Sequence, residues 1–150
     1  MGKFKILIAA GGTGGHLFPA MAVLEQIEAL TETSAAFVGT VSRIESRLIP
    51  EKGYDYTPMP IEGFAGISMK SLLLPFKIMK SISICKSLIK SFKPHAVLCT
   101  GAYISYPAGA AASAENTPLF LMESNVNPGK AVKMLSTKAD RIFTSFTETR

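Results

Sequence analysis

The stretch Gly11-Gly12-Thr13-Gly14-Gly15-His16 constrains this chain more than any other. It follows a continuous apolar run, Lys5 to Ala10, and precedes Leu17 to Leu30, which reads as a helix with Pro19 in its first turn. A short apolar run of this kind is expected of a central parallel strand buried on both faces. Strand, glycine loop and helix in that order open a βα unit whose helix N-terminus faces whatever binds beyond the strand. The apolar run, Ile6 to Ala10, is too short for a signal peptide and runs straight into glycines.

Strands and helices alternate through the rest of the chain. Extended segments are predicted at Ala35–Gly39, Tyr54–Pro60, His95–Thr100, Leu119–Met122 and Arg141–Ser145. Helices are predicted at Ser42–Ile49, Ser105–Ala114 and Gly129–Ser136, with another through the lysine-rich middle. Ser42 with Glu45 three residues on reads as a capping box. The fold class is therefore α/β, a doubly wound, mostly parallel sheet. The 150 residues show no repeat, low-complexity tract or internal boundary, so residues 1–150 read as one domain. With 47% apolar and 18% charged residues the chain is neither disordered nor a coiled coil.

Ligands of such sheets bind beyond the carboxyl ends of the strands. Three loops leave those ends: Gly11–His16, Thr100–Tyr103 and Glu123–Asn125. Four glycines in the first let a backbone approach a ligand closely, and the helix behind offers unpaired N–H groups to a phosphate or diphosphate. No Gly-Lys-Ser/Thr follows, which excludes a P-loop. The second strand ends Val38-Gly39-Thr40-Val41 without the acidic residue a dinucleotide ribose requires. His16, at the end of the loop, is the candidate general base or diphosphate donor. Glu123, the one carboxylate of the three loops, is the alternative base, and Tyr103 is a further candidate. His95, after Pro94 at a strand start, reads as structural. Cys85 and Cys99 lack a ligand pattern and read as reduced core residues of a cytosolic protein. No Asp-x-Asp pair or Cys/His cluster suggests a metal, and no cofactor is expected.

The net charge of +5 is unevenly placed. From Gly63 to Ala114 there is no Asp or Glu, while Lys70, Lys77, Lys80, Lys86, Lys90 and Lys93 all fall there. Such a patch implies an anionic partner. Ile78, Ile82, Cys85, Ile89 and Phe92 form one buried helical stripe. That leaves Ile67, Leu72, Leu73 and Phe76 as surplus apolar surface beside Lys70, Lys77 and Lys80, with Pro75 breaking the helical pattern. Arg is absent from Gly63–Ala114 and the apolar residues there are mostly aliphatic, which speaks against nucleic acid and for an anionic membrane surface.

Gly11-Gly12-Thr13-Gly14-Gly15-His16-Leu17-Phe18-Pro19-Ala20 resembles the opening of the MurG family of bacterial glycosyltransferases. The resemblance extends through Phe37-Val38-Gly39-Thr40, Arg43-Ile44-Glu45, Lys93-Pro94-His95-Ala96-Val97 and Gly101-Ala102-Tyr103-Ile104-Ser105 to Pro128-Gly129 and Ala139-Asp140-Arg141-Ile142-Phe143. It implies the Rossmann-like N-terminal half of a GT-B enzyme of peptidoglycan synthesis. Such an enzyme moves N-acetylglucosamine from UDP-N-acetylglucosamine to an undecaprenyl-diphosphate-linked muramoyl pentapeptide. By that pattern this half binds the lipid acceptor and docks peripherally on the cytoplasmic membrane face, while a C-terminal domain binds most of the donor. Thr13, Gly14 and Gly15 would lie near the phosphates, His16 and Tyr103 in the cleft, and Asn125 at the donor sugar. The family's His-Glu-Gln-Asn segment reads Met122-Glu123-Ser124-Asn125, and Ala102 stands where glycine is usual.

The expected reaction is an inverting hexosyl transfer, with the 150 residues inactive without a donor domain in cis or in trans. The alternative is a non-catalytic, membrane-recruiting subunit of a separate catalytic chain, or a transferase with another lipid acceptor.

Overall fold

The computed structural model describes residues 2–61 and 73–149. Its elements run β1 (Phe4–Ala9), α1 (Gly14–Leu30), β2 (Thr33–Thr40), α2 (Ile44–Glu51), β3 (Asp55–Met59), α3 (Leu74–Phe92), β4 (Ala96–Cys99), α4 (Ser105–Ala114), β5 (Leu119–Glu123), α5 (Lys130–Leu135) and β6 (Arg141–Thr144). Every strand pairing is parallel, and the sheet order is β3-β2-β1-β4-β5-β6. This is the doubly wound Rossmann order, whose direction reverses between β1 and β4.

Alternation along each strand builds two cores, one on either face. Leu7 and Ala9 of β1, Ala36 and Val38 of β2, Val97 and Cys99 of β4 and Leu119 and Leu121 of β5 join α3, α4 and α5. Ile6, Ile8, Ala35, Phe37 and Leu98 turn the other way onto Leu17, Ala20, Met21 and Leu24 of α1 and Ile49 of α2. The central strands are thus covered on both faces, which is why they read as unbroken apolar runs. Pro58 sits in β3, at the sheet edge, where its missing donor breaks no ladder. Gly109 of α4 makes room for α5, since a Cβ there would lie 2.6 Å from Leu135 Cδ1.

Several local expectations are corrected. Helix α1 begins at Gly14, inside the glycine loop, with Thr13 as an extended N-cap (φ −144°, ψ 160°). Pro19 therefore lies within the helix instead of in its first turn. Helix α2 begins at Ile44 with Arg43 as N-cap, so Ser42 forms no capping box, and Glu45 turns inward instead. Pro75 does not break α3; it occupies the first turn, where its fixed φ suits a helix start. The stripe Ile78, Ile82, Cys85, Ile89 and Phe92 does pack on the core. Both cysteines are free and buried, and burial pushes the Cys85 thiol up to about 12 and the Cys99 thiol higher still.

Candidate functional site

Between the carboxyl ends of β1 and β4, at the reversal of strand order, lies an open cleft of about 330 Å³. Gly11, Gly12, Thr13, His16, Arg43, Gly101, Ala102 and Tyr103 line it. The expected Thr13, His16 and Tyr103 are therefore brought together. Gly14 and Gly15 form the first turn of α1 beside them. As the first residues of a helix their amides have no intrahelical acceptor, and the Thr13 side chain makes no capping bond to them.

The four glycines serve different ends. Gly11 (φ 152°) and Gly12 (φ 81°) hold backbone conformations that other residues rarely adopt. A Cβ on Gly11 would run into the Glu45 carboxylate, and one on Gly14 would lie 2.9 Å from the Phe18 ring. Gly15 is different: a Cβ there would meet nothing nearer than Thr13 Oγ1 at 3.8 Å. Internal packing does not demand glycine at that position, which leaves space over the helix end for an incoming group.

Glu45 is the residue that sequence reasoning placed wrongly. It is fully buried. Its Oε2 accepts from the Gly12 amide at 3.1 Å, and its Oε1 accepts from the Thr40 amide at 3.0 Å and the Thr40 hydroxyl at 2.7 Å. Several charge-assisted hydrogen bonds make such a buried carboxylate tolerable. Part of the glycine loop thus answers to a side chain of α2. Gly39 makes room for Glu45, since a Cβ there would lie 2.7 Å from Glu45 Cγ. The Tyr56 hydroxyl donates to the Thr40 carbonyl. Burial first, then the negative charge of Glu45 and the neighbouring Tyr103, hold the Tyr56 phenol well above its ordinary value.

His16 joins the first loop to the second. Its Nδ1 lies 2.6 Å from the Thr100 carbonyl oxygen. A carbonyl can only accept, so Nδ1 carries the proton and donates, and Nε2 is the nitrogen left for chemistry. In the second loop Gly101 takes the positive φ of 85°, while Ala102 points its methyl into the core and needs no glycine.

Glu123 and Asn125 do not line the cleft. Glu123 is 1% exposed, and both of its oxygens are engaged. Oε1 accepts from the Asn125 amide (2.9 Å) and side chain (2.8 Å), and Oε2 accepts from the Gly129 amide at 2.8 Å. This carboxylate braces the loop after β5. His95 is structural as expected: its Nδ1 accepts from the Lys5 amide at 2.9 Å, at the opposite edge of the sheet. Arg43 was missed as a lining residue. Its position just after the second strand was the one available signal, because that strand lies beside β1 in any doubly wound sheet.

Leu73, the N-cap of α3, and Phe76 and Met79 on that helix are 55%, 72% and 69% exposed, with Lys80 also exposed and Lys77 half-buried among them. Ile67, Lys70 and Leu72 lie outside the described residues. Among the described residues no helix is long and apolar enough to cross a membrane, and no group of His, Cys, Asp and Glu could hold a metal ion.

Known proteins resemble this chain in sequence and in fold. A transferase of Shewanella loihica is 43% identical over 146 residues, covering 97% of this chain and 40% of its own length. One from Shewanella halifaxensis is 41% identical over 143 residues, covering 95% and 39%. Both are called UDP-N-acetylglucosamine–N-acetylmuramyl-(pentapeptide) pyrophosphoryl-undecaprenol N-acetylglucosamine transferase. The chain thus spans about 40% of the length of the curated relatives it matches. The crystal structure of Acinetobacter baumannii MurG superposes with a TM-score of 0.85 at 28% identity, over 98% of this chain and 43% of that one. The UDP-GlcNAc 2-epimerase of Methanocaldococcus jannaschii shares the fold, with a TM-score of 0.66 at 13% identity over 99% of this chain and 40% of that one. The signature of the glycosyltransferase family 28 N-terminal domain matches residues 6–144, and by that match the chain belongs to glycosyltransferase family 28.

Proposed function

We propose that this chain is the acceptor-binding part of a transferase that moves N-acetylglucosamine from UDP-N-acetylglucosamine to an undecaprenyl-diphosphate-linked muramoyl pentapeptide, in peptidoglycan synthesis. The names of the relatives support the substrates. The placement of His16 carries the reading at the level of chemistry. Its ring is fixed by Thr100, and its Nε2 is left as a proton acceptor in a cleft that ends at the α1 N-terminus.

In this reading the acceptor hydroxyl attacks the anomeric carbon of the donor sugar from the face opposite UDP. The new glycosidic bond forms as the bond to the UDP β-phosphate breaks, with inversion. The hydroxyl proton passes to His16 Nε2, and UDP leaves with the bonding electron pair. Thr13, the Gly14 and Gly15 amides and the positive end of α1 face the phosphates. Tyr103 flanks them in the cleft, and Asn125, held by Glu123 on the loop after β5 and outside that cleft, is assigned to the donor sugar that the C-terminal domain presents. A C-terminal donor domain supplies most of the UDP-sugar contacts, in cis or in trans.

In the two-domain enzyme, His16→Ala lowers turnover by about 10²-fold or more while binding of the acceptor persists. Unchanged turnover would remove His16 as the base. The same reading places the protein peripherally on the cytoplasmic face of the membrane, through Leu73, Phe76, Lys77 and Lys80 of α3 and the neighbouring Ile67, Lys70 and Leu72. The exposed apolar side chains beside lysines support it.

A further inference from the structure

We infer that Arg43 is the side chain that binds the diphosphate of the lipid acceptor, an inference that rests on the function proposed above. Four glycines suggest a cradle of backbone amides, but the structure gives the Gly12 amide to Glu45. What remains on that side is the first turn of α1, whose dipole amounts to roughly half a charge. A diphosphate ester carries at least two negative charges and would sit near a buried carboxylate. Among the described residues no lysine lines the cleft to offset that.

Arg43 does line the cleft, with Gly11, Gly12, Thr13 and His16. Among the described residues no carboxylate pairs with its guanidinium, whereas Arg47, one turn further along α2, pairs with Glu51 at 3.8 Å. The backbone of Arg43 is held in place: its amide donates to Thr40 Oγ1 at 3.1 Å, and that hydroxyl donates to Glu45 Oε1 at 2.7 Å. One network therefore joins Gly12, Glu45, Thr40 and Arg43. The carboxylate that takes an amide from the loop also anchors the cation that replaces it. A guanidinium fork can engage an oxygen on each phosphate or two on one, a geometry an ammonium cannot reproduce.

The test is equilibrium binding of farnesyl diphosphate and farnesyl monophosphate, below their micelle concentrations, to the 150-residue chain. The variants are Arg43→Gln, Arg43→Lys and, as a charge-matched control, Arg47→Gln. Melting curves verify that each stays folded. We expect Arg43→Gln to weaken the diphosphate about tenfold to a hundredfold, the span of lost charge-assisted hydrogen bonds. The monophosphate should change less, Arg43→Lys should fall between, and Arg47→Gln should match the parent. Equal losses in Arg43→Gln and Arg47→Gln, or no loss in Arg43→Gln, overturn the role of Arg43 and leave the proposed transferase standing. A parent chain that binds both lipids alike overturns the diphosphate site itself, and the role of Arg43 with it.

Discussion

Gly11 and Gly15 sit in the same loop and differ in what makes them glycine. At Gly11 a methyl group would collide with the Glu45 carboxylate, on a backbone of φ 152°. Gly11→Ala should therefore destabilise the fold, seen as a lower denaturant midpoint. Gly15→Ala enters open space on a helix, where alanine is favoured over glycine by about 0.5–1 kcal/mol. Its stability should hold or rise while lipid-diphosphate binding falls, because the methyl occupies the phosphate approach. Equal binding by parent and Gly15→Ala would show that the space serves no ligand. Glu45→Ala strands the buried Thr40 amide and frees the part-buried Gly12 amide, at a cost of about 1–3 kcal/mol in unfolding free energy. His16 contributes to architecture as well as chemistry, since its bond to Thr100 links loops 84 residues apart in sequence.

Helix α3 shows how one element divides its faces. Cys85 and Ile89 are buried, and Ile78, Ile82, Leu88 and Phe92 pack against the same core. The first turn turns Leu73 and Phe76 outward, with Met79 and Lys80 beyond them. Side chains that exposed contribute little to folding, so Phe76→Ser should leave the unfolding free energy within about 0.5 kcal/mol. Vesicle binding should respond. With anionic phospholipid vesicles, Leu73→Ser with Phe76→Ser should weaken association about tenfold or more, and added salt should weaken it further. Indifference to both would remove α3 as the docking element.

The molecule as a whole stores its thiols in the core beneath the site. Burial raises Cys85 to about 12 and Cys99 higher, so in the native protein both stay protonated and unreactive toward a thiol reagent at neutral pH. In the unfolded chain they ionise near the ordinary value of 9.0. Above that pH the unfolded state holds fewer protons, so stability falls as pH rises, by up to about 1.4 kcal/mol per pH unit for each thiol. Unfolding midpoints that do not move between pH 8 and pH 10.5 would contradict this. At this scale the sequence was most legible. Continuous apolar runs, glycine loops at strand ends and the order of elements are local signals, and they determined the doubly wound sheet, the loops at its carboxyl edge and His16 as the side chain of interest. Tertiary structure alone decided which groups meet. Glu45 looks like half of a capping box because the nearest donor in sequence is close to Ser42. A desolvated carboxylate takes the set of donors that satisfies both its oxygens, and those lie on Thr40 and on Gly12, 33 residues away. Glu123 likewise went to the amides of Asn125 and Gly129 instead of the cleft. Local patterns specify where a chain turns and which face it buries; the partner of a buried charge is set by hydrogen-bond satisfaction in the folded molecule, whether it lies two residues away, as Asn125 does from Glu123, or 33, as Gly12 does from Glu45.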